Sequence, residues 1–123
     1  MRHSSSATPP LVVFFLSVMI LTSGCIQTRF AATTSQSYTA KPANCDIEVF
    51  ITTLPDRDYI EIGIVEAKAT LWKSDIQDIL PKLRERACEE GGDAIILGES
   101  DTWAEGEDGI ETQKTQATVI RWR

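Results

Sequence analysis

Two segments of the chain alternate apolar and polar residues with a period of two, which predicts β-strands with one buried face. In the first segment the apolar face consists of Ile47, Val49 and Ile51. In the second, residues 59–67, three isoleucines share a face: Ile60, Ile62 and Ile64. Because an apolar sheet face needs a covering layer, we expect a helix to pack on these isoleucines.

Residues 75–90 have the period of an amphipathic helix, with apolar side chains at Ile76, Ile79, Leu80, Leu83 and Ala87. Ser74 and Gln77 match a capping box at its start, and Gly91 can supply the left-handed residue that ends it. Pro81 lies inside the segment and removes one backbone hydrogen bond. The sequence therefore predicts a kinked or two-part helix.

Two more strands are predicted after the helix. Residues 94–97 form a short, wholly apolar run, typical of a central strand buried on both faces. Residues 112–123 are polar at first and apolar near the end, where we expect Trp122 to pack between sheet and helix. The order β-β-α-β-β predicts an α+β fold, a small two-layer sandwich with one helix on a four-stranded mixed sheet. A right-handed crossover should make the strands on either side of the helix parallel.

Residues 1–24 have the organisation of a secretory signal. Arg2 precedes an apolar stretch, residues 11–21, which as a helix would span about 16 Å and is too short for a hydrocarbon core of about 30 Å. Small residues then lead to Cys25, an order that resembles the bacterial lipoprotein signal. The resemblance implies that Cys25 is acylated, with palmitate among its chains, and anchors the protein to membrane lipid. Plain secretion and an uncleaved anchor are the alternatives.

The residues after Cys25 indicate which membrane the protein is sorted to and how its domain is attached. Ile26 stands where an aspartate would resemble an inner-membrane retention signal, which indicates the outer membrane and a domain facing the periplasm. Residues 26–43 are rich in Ser, Thr, Ala and Gln and lack an apolar period. We therefore expect residues 25–43 to form a lipidated, flexible tether before a domain of residues 44–123. The alternative is that Phe30 or Tyr38 docks on the domain.

Composition and charge exclude several classes of function. The chain has 123 residues, 42% hydrophobic and 24% charged, which is typical of one globular domain. Its 12 basic and 18 acidic side chains argue against nucleic-acid binding, which needs clustered cations. The single histidine, His3, lies in the leader, so a mature chain has neither imidazole catalysis nor imidazole metal ligands. We predict no enzymatic activity, no cofactor and no metal site.

Two segments resemble a known family. Residues 59–65 (YIEIGIV) are similar to the second strand of the YbjQ-like small α/β domains, and residues 87–97 (ACEEGGDAIIL) to their helix end and third strand. The layout behind a lipobox also resembles the outer-membrane stress-sensor lipoprotein of the Rcs phosphorelay. The resemblance covers about half of the chain. It implies a domain without catalytic residues and a role in envelope stress sensing.

Cys45 and Cys88 are an even pair in an oxidising compartment, which favours a structural disulfide. In the chain-entropy model, a disulfide that closes residues 45–88 stabilises the fold by about 4 kcal/mol. Buried free thiols are one alternative. A redox-active or metal-binding pair is another, although two thiolates without histidine make a poor zinc site.

Residues 99–111 hold six carboxylates: Glu99, Asp101, Glu105, Glu107, Asp108 and Glu111. We interpret the segment as a solvated loop between the last two strands, in which Gly106 and Gly109 allow the turn. Its spacing lacks the alternating oxygen ligands of a calcium loop. A weak cation site and an acidic patch that steers a basic partner are the alternatives.

The candidate contact residues are aromatic. If no second layer covers it, the outer face of a hairpin of the first two strands carries an apolar patch of Phe50, Tyr59 and Val65. Trp103 lies among acidic residues and is the best candidate for an exposed contact residue. The sequence thus predicts a periplasm-facing lipoprotein that acts by contact with an unidentified envelope protein. The alternative is a lipoprotein that binds a small ligand or a metal ion.

Overall fold

The computed structural model describes residues 26–70, 75–105, 107 and 109–123. Within them lie β1 (Ile26–Ala32), β2 (Glu48–Phe50), β3 (Tyr59–Thr70), α1 (Ile76–Glu89), β4 (Ala94–Glu105) and β5 (Ile110–Trp122). The strands form one mixed sheet in the order β1-β3-β5-β4-β2, and α1 packs on one of its faces. The α+β class is confirmed, with five strands where four were predicted.

The pairing of the strands differs in one respect from the prediction. Antiparallel ladders join β1 to β3, β3 to β5 and β5 to β4. As expected, β3 and β4 are parallel, because each is antiparallel to β5, which lies between them. The predicted hairpin of β2 and β3 is wrong, since β2 pairs in parallel with β4 at the far edge of the sheet.

An extra residue, Ile62, interrupts the pairing of β3 with β5. Such a β-bulge shifts the alternation of side chains by one position. Beyond it, the side chains of β3 that are buried against α1 are Val65, Ala67 and Ala69. Ile64 lies on the opposite face and is 40% exposed. The predicted isoleucine face is therefore correct for Ile60 and Ile62 but wrong for Ile64.

The first part of the predicted tether is a strand. β1 pairs with β3 along its whole length, and Ile26 and Phe30 pack against the core. The tether prediction is wrong for these residues. The structure has the alternative, in which Phe30 docks on the domain. Composition gave no signal because an edge strand needs few apolar side chains when its backbone hydrogen-bonds to a formed sheet.

The second part of the predicted tether lies against the end of α1. The Lys41 N–H donates to Cys88 O over 2.8 Å. Tyr38 is partly buried, and the Arg121 guanidinium lies 4.4 Å from the centroid of its ring. The stretch before the disulfide is thus fixed to the domain by backbone and side-chain contacts, which a free tether would lack.

α1 is one continuous helix, and the prediction of two parts is wrong. Pro81 lies inside it, where its missing amide would have donated to Gln77 O. Gln77 is exposed near the start of the helix, so water can satisfy that carbonyl. Asp75 is the N-cap without a side-chain cap bond. The predicted capping box involves Ser74, which lies outside the described residues.

The end of α1 follows the prediction. Gly91 has a φ of +79°, the left-handed conformation that ends many helices. The Gly92 N–H donates to Ala87 O over 2.8 Å and the Gly91 N–H to Cys88 O over 3.0 Å, the hydrogen bonds of a Schellman motif. This tight stop brings the chain directly from α1 into β4.

Most of the predicted acidic loop is strand. β4 extends to Glu105, and β5 begins at Ile110. This half of β4 can be a strand without apolar residues because several of its side chains are exposed, among them Glu99, Asp101 and Thr102. Oppositely charged residues also face each other across the strands, since Asp101 lies opposite Lys114 in the ladder. Asp108 lies outside the described residues.

Residues 51–58 cross the sheet on the face opposite α1. The crossing is needed because β4 and β5 lie between β2 and β3 in the sheet, and the contact of Arg57 with the Trp122 ring places it on this face. Ala94 and Ile120, which lie opposite each other in the β4–β5 ladder, are buried but lie outside the cluster packed under α1. The crossover is a partial second layer at one end of the sheet.

Candidate interaction surface

The candidate contact residues lie on the sheet face opposite α1, here called the helix-free face. Val119 is buried under α1, so alternation along β5 places Ile120 and Trp122 on the helix-free face. The prediction that Trp122 packs between sheet and helix is wrong. Alternation in the sequence places Val119 and Trp122 on opposite faces, and the structure shows that Val119 is the one under α1.

One end of this face, termed the aromatic end, consists of Phe50, Tyr59 and Trp122. The rings of Phe50 and Trp122 are 6.1 Å apart and nearly perpendicular, at 87°. Tyr59 lies opposite Trp122 in the β3–β5 ladder. The predicted grouping of Phe50 with Tyr59 thus has a structural basis in their shared neighbour Trp122. The inclusion of Val65 is wrong, because the bulge places it in the core.

The crossover adds apolar surface to the aromatic end. Ile51 is 63% exposed and Leu54 is 69% exposed. The prediction that Ile51 belongs to a buried strand face is wrong, because β2 ends at Phe50 and the chain turns into the crossover. The Arg57 guanidinium lies 4.3 Å from the Trp122 ring centroid. This surface combines aromatic and aliphatic side chains with one cation, a composition common at protein interfaces.

Trp103 lies at the other end of the same face, away from the aromatic end. Lys68 Nζ is 5.7 Å from the Trp103 ring centroid, within cation–π range. Trp103 is half-buried and therefore less exposed than predicted, and its role as a contact residue stays a prediction. It lines a cleft of about 240 Å³, here called the basic cleft, with Gln27, Arg29, Glu66, Lys68 and Lys114.

Sequence reasoning missed the basic cleft. Its three cations, Arg29, Lys68 and Lys114, stand on three strands that are far apart in the chain. Only the register of the sheet brings them together. No local pattern could have identified them, because each strand contributes one or two members.

Cys45 and Cys88 form the predicted disulfide, with an S–S distance of 2.02 Å and a Cα–Cα distance of 5.9 Å. The bond ties the segment before β2 to the end of α1. It leaves neither sulfur as a thiolate, so a metal site on this pair does not fit. Among the residues the structure describes, no three His, Cys, Asp or Glu side chains are grouped to hold a metal ion.

Asp93 is the centre of a polar network where α1 ends. Its Oδ1 lies 2.5 Å from Lys41 Nζ, and its Oδ2 accepts the Trp122 N–H over 2.9 Å. Partial burial acts to raise the pKa of Asp93. The hydrogen bonds from Lys41 and Trp122, with the charges of Lys41 and Arg121, outweigh it, so the pKa of Asp93 lies below its ordinary value. This network is structural: it touches the aromatic end through the backbone of Trp122 and shares no residue with the basic cleft.

Cys25, the predicted lipidation site, lies outside the described residues, one position before β1. Among residues 26–70, 75–105, 107 and 109–123, no helix is long and apolar enough to cross a bilayer.

Comparison with known proteins gives one distant structural similarity. No family model matches the chain, and no curated protein matches it. Among solved structures, the chain is similar to the crystal structure of the Francisella virulence factor FvfA in its orthorhombic form. The two share 15% sequence identity with a TM-score of 0.47, over 75% of this chain and 96% of that chain. No argument about function follows from a similarity at this level.

Proposed function

We propose that the chain is a non-catalytic lipoprotein, anchored in the membrane through acylated Cys25 and facing the periplasm. It acts by contact with another envelope protein through the aromatic end and the crossover beside it. The observation that carries the proposal is the exposure of Ile51 and Leu54 next to the ring pair of Phe50 and Trp122.

The leader supports the anchor. An apolar stretch too short to span a bilayer is followed by small residues and a cysteine, the order of a lipoprotein signal. Two or three acyl chains hold a protein on a membrane stably, whereas one does so only marginally. The disulfide fits the same location, because disulfides persist outside the reducing cytoplasm.

The position of the aromatic end supports a contact role. Ile26 pairs with Ala69 near one end of β3, whereas Tyr59 begins β3 at the other end. The ten residues of β3 between these two positions span about 30 Å. An anchor at Cys25 therefore leaves the aromatic end at the opposite end of the sheet, within reach of a second envelope protein. Aromatic side chains in such a position are typical of binding hot spots.

Two measurements test the proposal in cells that produce the full chain. Mass spectrometry of the membrane fraction should find Cys25 acylated at the N-terminus of the processed chain. A photoreactive amino acid at Ile51 or Leu54 should crosslink to one discrete envelope protein. The same amino acid at Arg84, an exposed position on α1, is the matched control and should give no such product.

The two parts of the proposal can fail separately. A soluble chain with an unmodified Cys25 would refute the anchor. Equal crosslinking from Leu54 and Arg84, or none from either, would refute the contact surface while leaving the anchor in place.

A further inference from the structure

We infer that the basic cleft is a binding site for a phosphate group, carried by a lipid headgroup or by a soluble phosphodiester. The lipid source rests on the proposed anchor at Cys25, whereas the site itself does not. Its lining residues come from four strands of the helix-free face, at the end of the sheet where β1 begins.

The register of the sheet builds the site. Gln27 of β1 lies opposite Lys68 of β3, and Lys68 lies opposite Lys114 of β5, so the three form one row across the sheet. Directly opposed residues point to the same face, so both ammonium groups stand on the helix-free face. Arg29 lies opposite Glu66 in the adjacent row of that face, two residues along β1.

The charge of the cleft is opposite to that of the chain. Three cations and one carboxylate, Glu66, line it, whereas the whole chain has a net charge of −6. Glu66 also accepts a hydrogen bond from the Gln116 amide over 3.4 Å, which occupies part of its hydrogen-bonding capacity. Asp101 lies opposite Lys114 on the same face and adds a second carboxylate nearby. The cations exceed the carboxylates, so an anion is the complementary ligand.

The side chains suit a phosphate in particular. A guanidinium donates two parallel hydrogen bonds to phosphate oxygens, and ammonium groups supply point charges beside it. Arg29, Lys68 and Lys114 offer these groups, and Gln27 adds an amide donor. Trp103 forms an aromatic wall, with Lys68 held near its ring. Tryptophan is also enriched at the interface between a membrane and water, where headgroup phosphates lie.

The position of the cleft makes a lipid headgroup an accessible source. Arg29 is four residues from Cys25, about 13 Å along an extended strand. Because β1 begins at Ile26, little chain separates the cleft from the proposed acyl chains. A soluble phosphodiester would reach the same cleft from solvent, so the two sources need separate experiments.

The first experiment uses the full chain in neutral detergent, with glycerophosphoglycerol as the soluble phosphodiester. Tryptophan fluorescence should change in a saturable manner, and sodium chloride at the same ionic strength should produce no such change. The change should be absent from Trp103→Phe. The triple variant Arg29→Gln, Lys68→Gln and Lys114→Gln should weaken binding by about tenfold or more. The matched control removes three exposed cations elsewhere, with Lys82→Gln, Arg84→Gln and Arg123→Gln, and should bind as the original chain does.

The second experiment places the full chain on vesicles of phosphatidylcholine with or without phosphatidylglycerol, and measures acetylation of lysines by mass spectrometry. A headgroup in the cleft should protect Lys68 and Lys114 on the anionic vesicles, while Lys82 on α1 remains reactive. Each cation near an anionic surface contributes about fivefold to such an equilibrium, so protection should decrease stepwise as cations are removed.

The outcomes separate this inference from the proposed function. A response in the first experiment without protection on vesicles assigns a soluble phosphodiester. Protection on the anionic vesicles and not on the neutral ones assigns a lipid headgroup, whether or not the free headgroup also binds. An acylated chain with an intact disulfide that responds in neither experiment overturns the inference and leaves the proposed function standing. If Cys25 proves unmodified, the anchor fails, while the detergent experiment still tests the cleft.

Discussion

The ring of Phe30 lies against the backbone of Gly63, where the Cβ of any other residue would overlap it. The two residues lie on neighbouring strands, β1 and β3. The Phe30 ring can approach the backbone of β3 this closely only because residue 63 is a glycine. This contact fixes residues 26–32 to the sheet although their composition resembles that of a tether.

Hydrogen exchange should therefore report protected amides in residues 26–32. Gly63→Ala should speed exchange in β1, because the new methyl group displaces Phe30 and also meets the Ala31 carbonyl oxygen. The hairpin of β4 and β5 serves as the internal control and should change far less. Exchange of residues 26–32 at the rate of a free peptide in the original chain would contradict the strand.

Truncation should destabilise the fold by different amounts at two neighbouring residues of β3. Val65→Ala should lower the free energy of unfolding by about 1–3 kcal/mol, because Val65 is fully buried under α1. Ile64→Ala should cost less than about 1 kcal/mol, because Ile64 is exposed on the helix-free face. Denaturant unfolding of both variants measures the order. The reverse order would mean that the bulge at Ile62 is absent.

Asp93 should make stability depend on pH at the acid end. Its pKa is lowered in the folded state, so its charge stabilises the fold above the ordinary pKa of about 4. That contribution is lost as the pH falls through the lower folded pKa. Asp93→Asn should cost about 1–3 kcal/mol at neutral pH and flatten the decline in stability below pH of about 4.

The measurement is denaturant unfolding across that pH range. Asp56→Asn, at an exposed position, is the control and should retain the acid decline of the original chain. An Asp93→Asn variant with an unchanged acid decline would contradict the assignment.

The disulfide should contribute a large part of the stability. Cys45→Ala with Cys88→Ala should lower the free energy of unfolding by about 4 kcal/mol, because the unfolded chain gains the freedom of residues 45–88. Thermal unfolding with and without reductant checks this. Reductant should destabilise the original chain and leave the double variant unaffected. Alkylation of the unreduced, unfolded chain should label neither cysteine, and full labelling would contradict the bond.

Local patterns were sufficient for the elements that carry their own signal. The alternation in β3, the helical period of α1 and the stop at Gly91 all correspond to observed structure. They could be predicted because spacing along one segment determines which side chains share a face. The same reasoning failed at Ile64, since a single unpaired residue in β3 reverses the faces without leaving a mark in the local sequence.

The candidate sites also fall into those that local patterns could predict and those that they could not. Phe50 and Tyr59 were predicted to share a face, because strand alternation extends to them. The grouping of Arg29, Lys68 and Lys114 could not be predicted, since each lies on a different strand and none belongs to a motif. The acidic segment is predicted to be a loop because its residues are polar and include two glycines, whereas β5 pairs with residues 100–105 of it in an antiparallel ladder.

The amino-acid sequence alone determined the α+β class, the helix and its glycine stop, and the pair of cysteines able to bond, because each depends on residue types at short spacing or on a count. The tertiary structure decided the place of β1, the direction of the side chains after the bulge, the crossover that exposes Leu54, and the assembly of the basic cleft. These features depend on strand order and register, which are set by the packing of the whole sheet and by hydrogen bonds between distant segments.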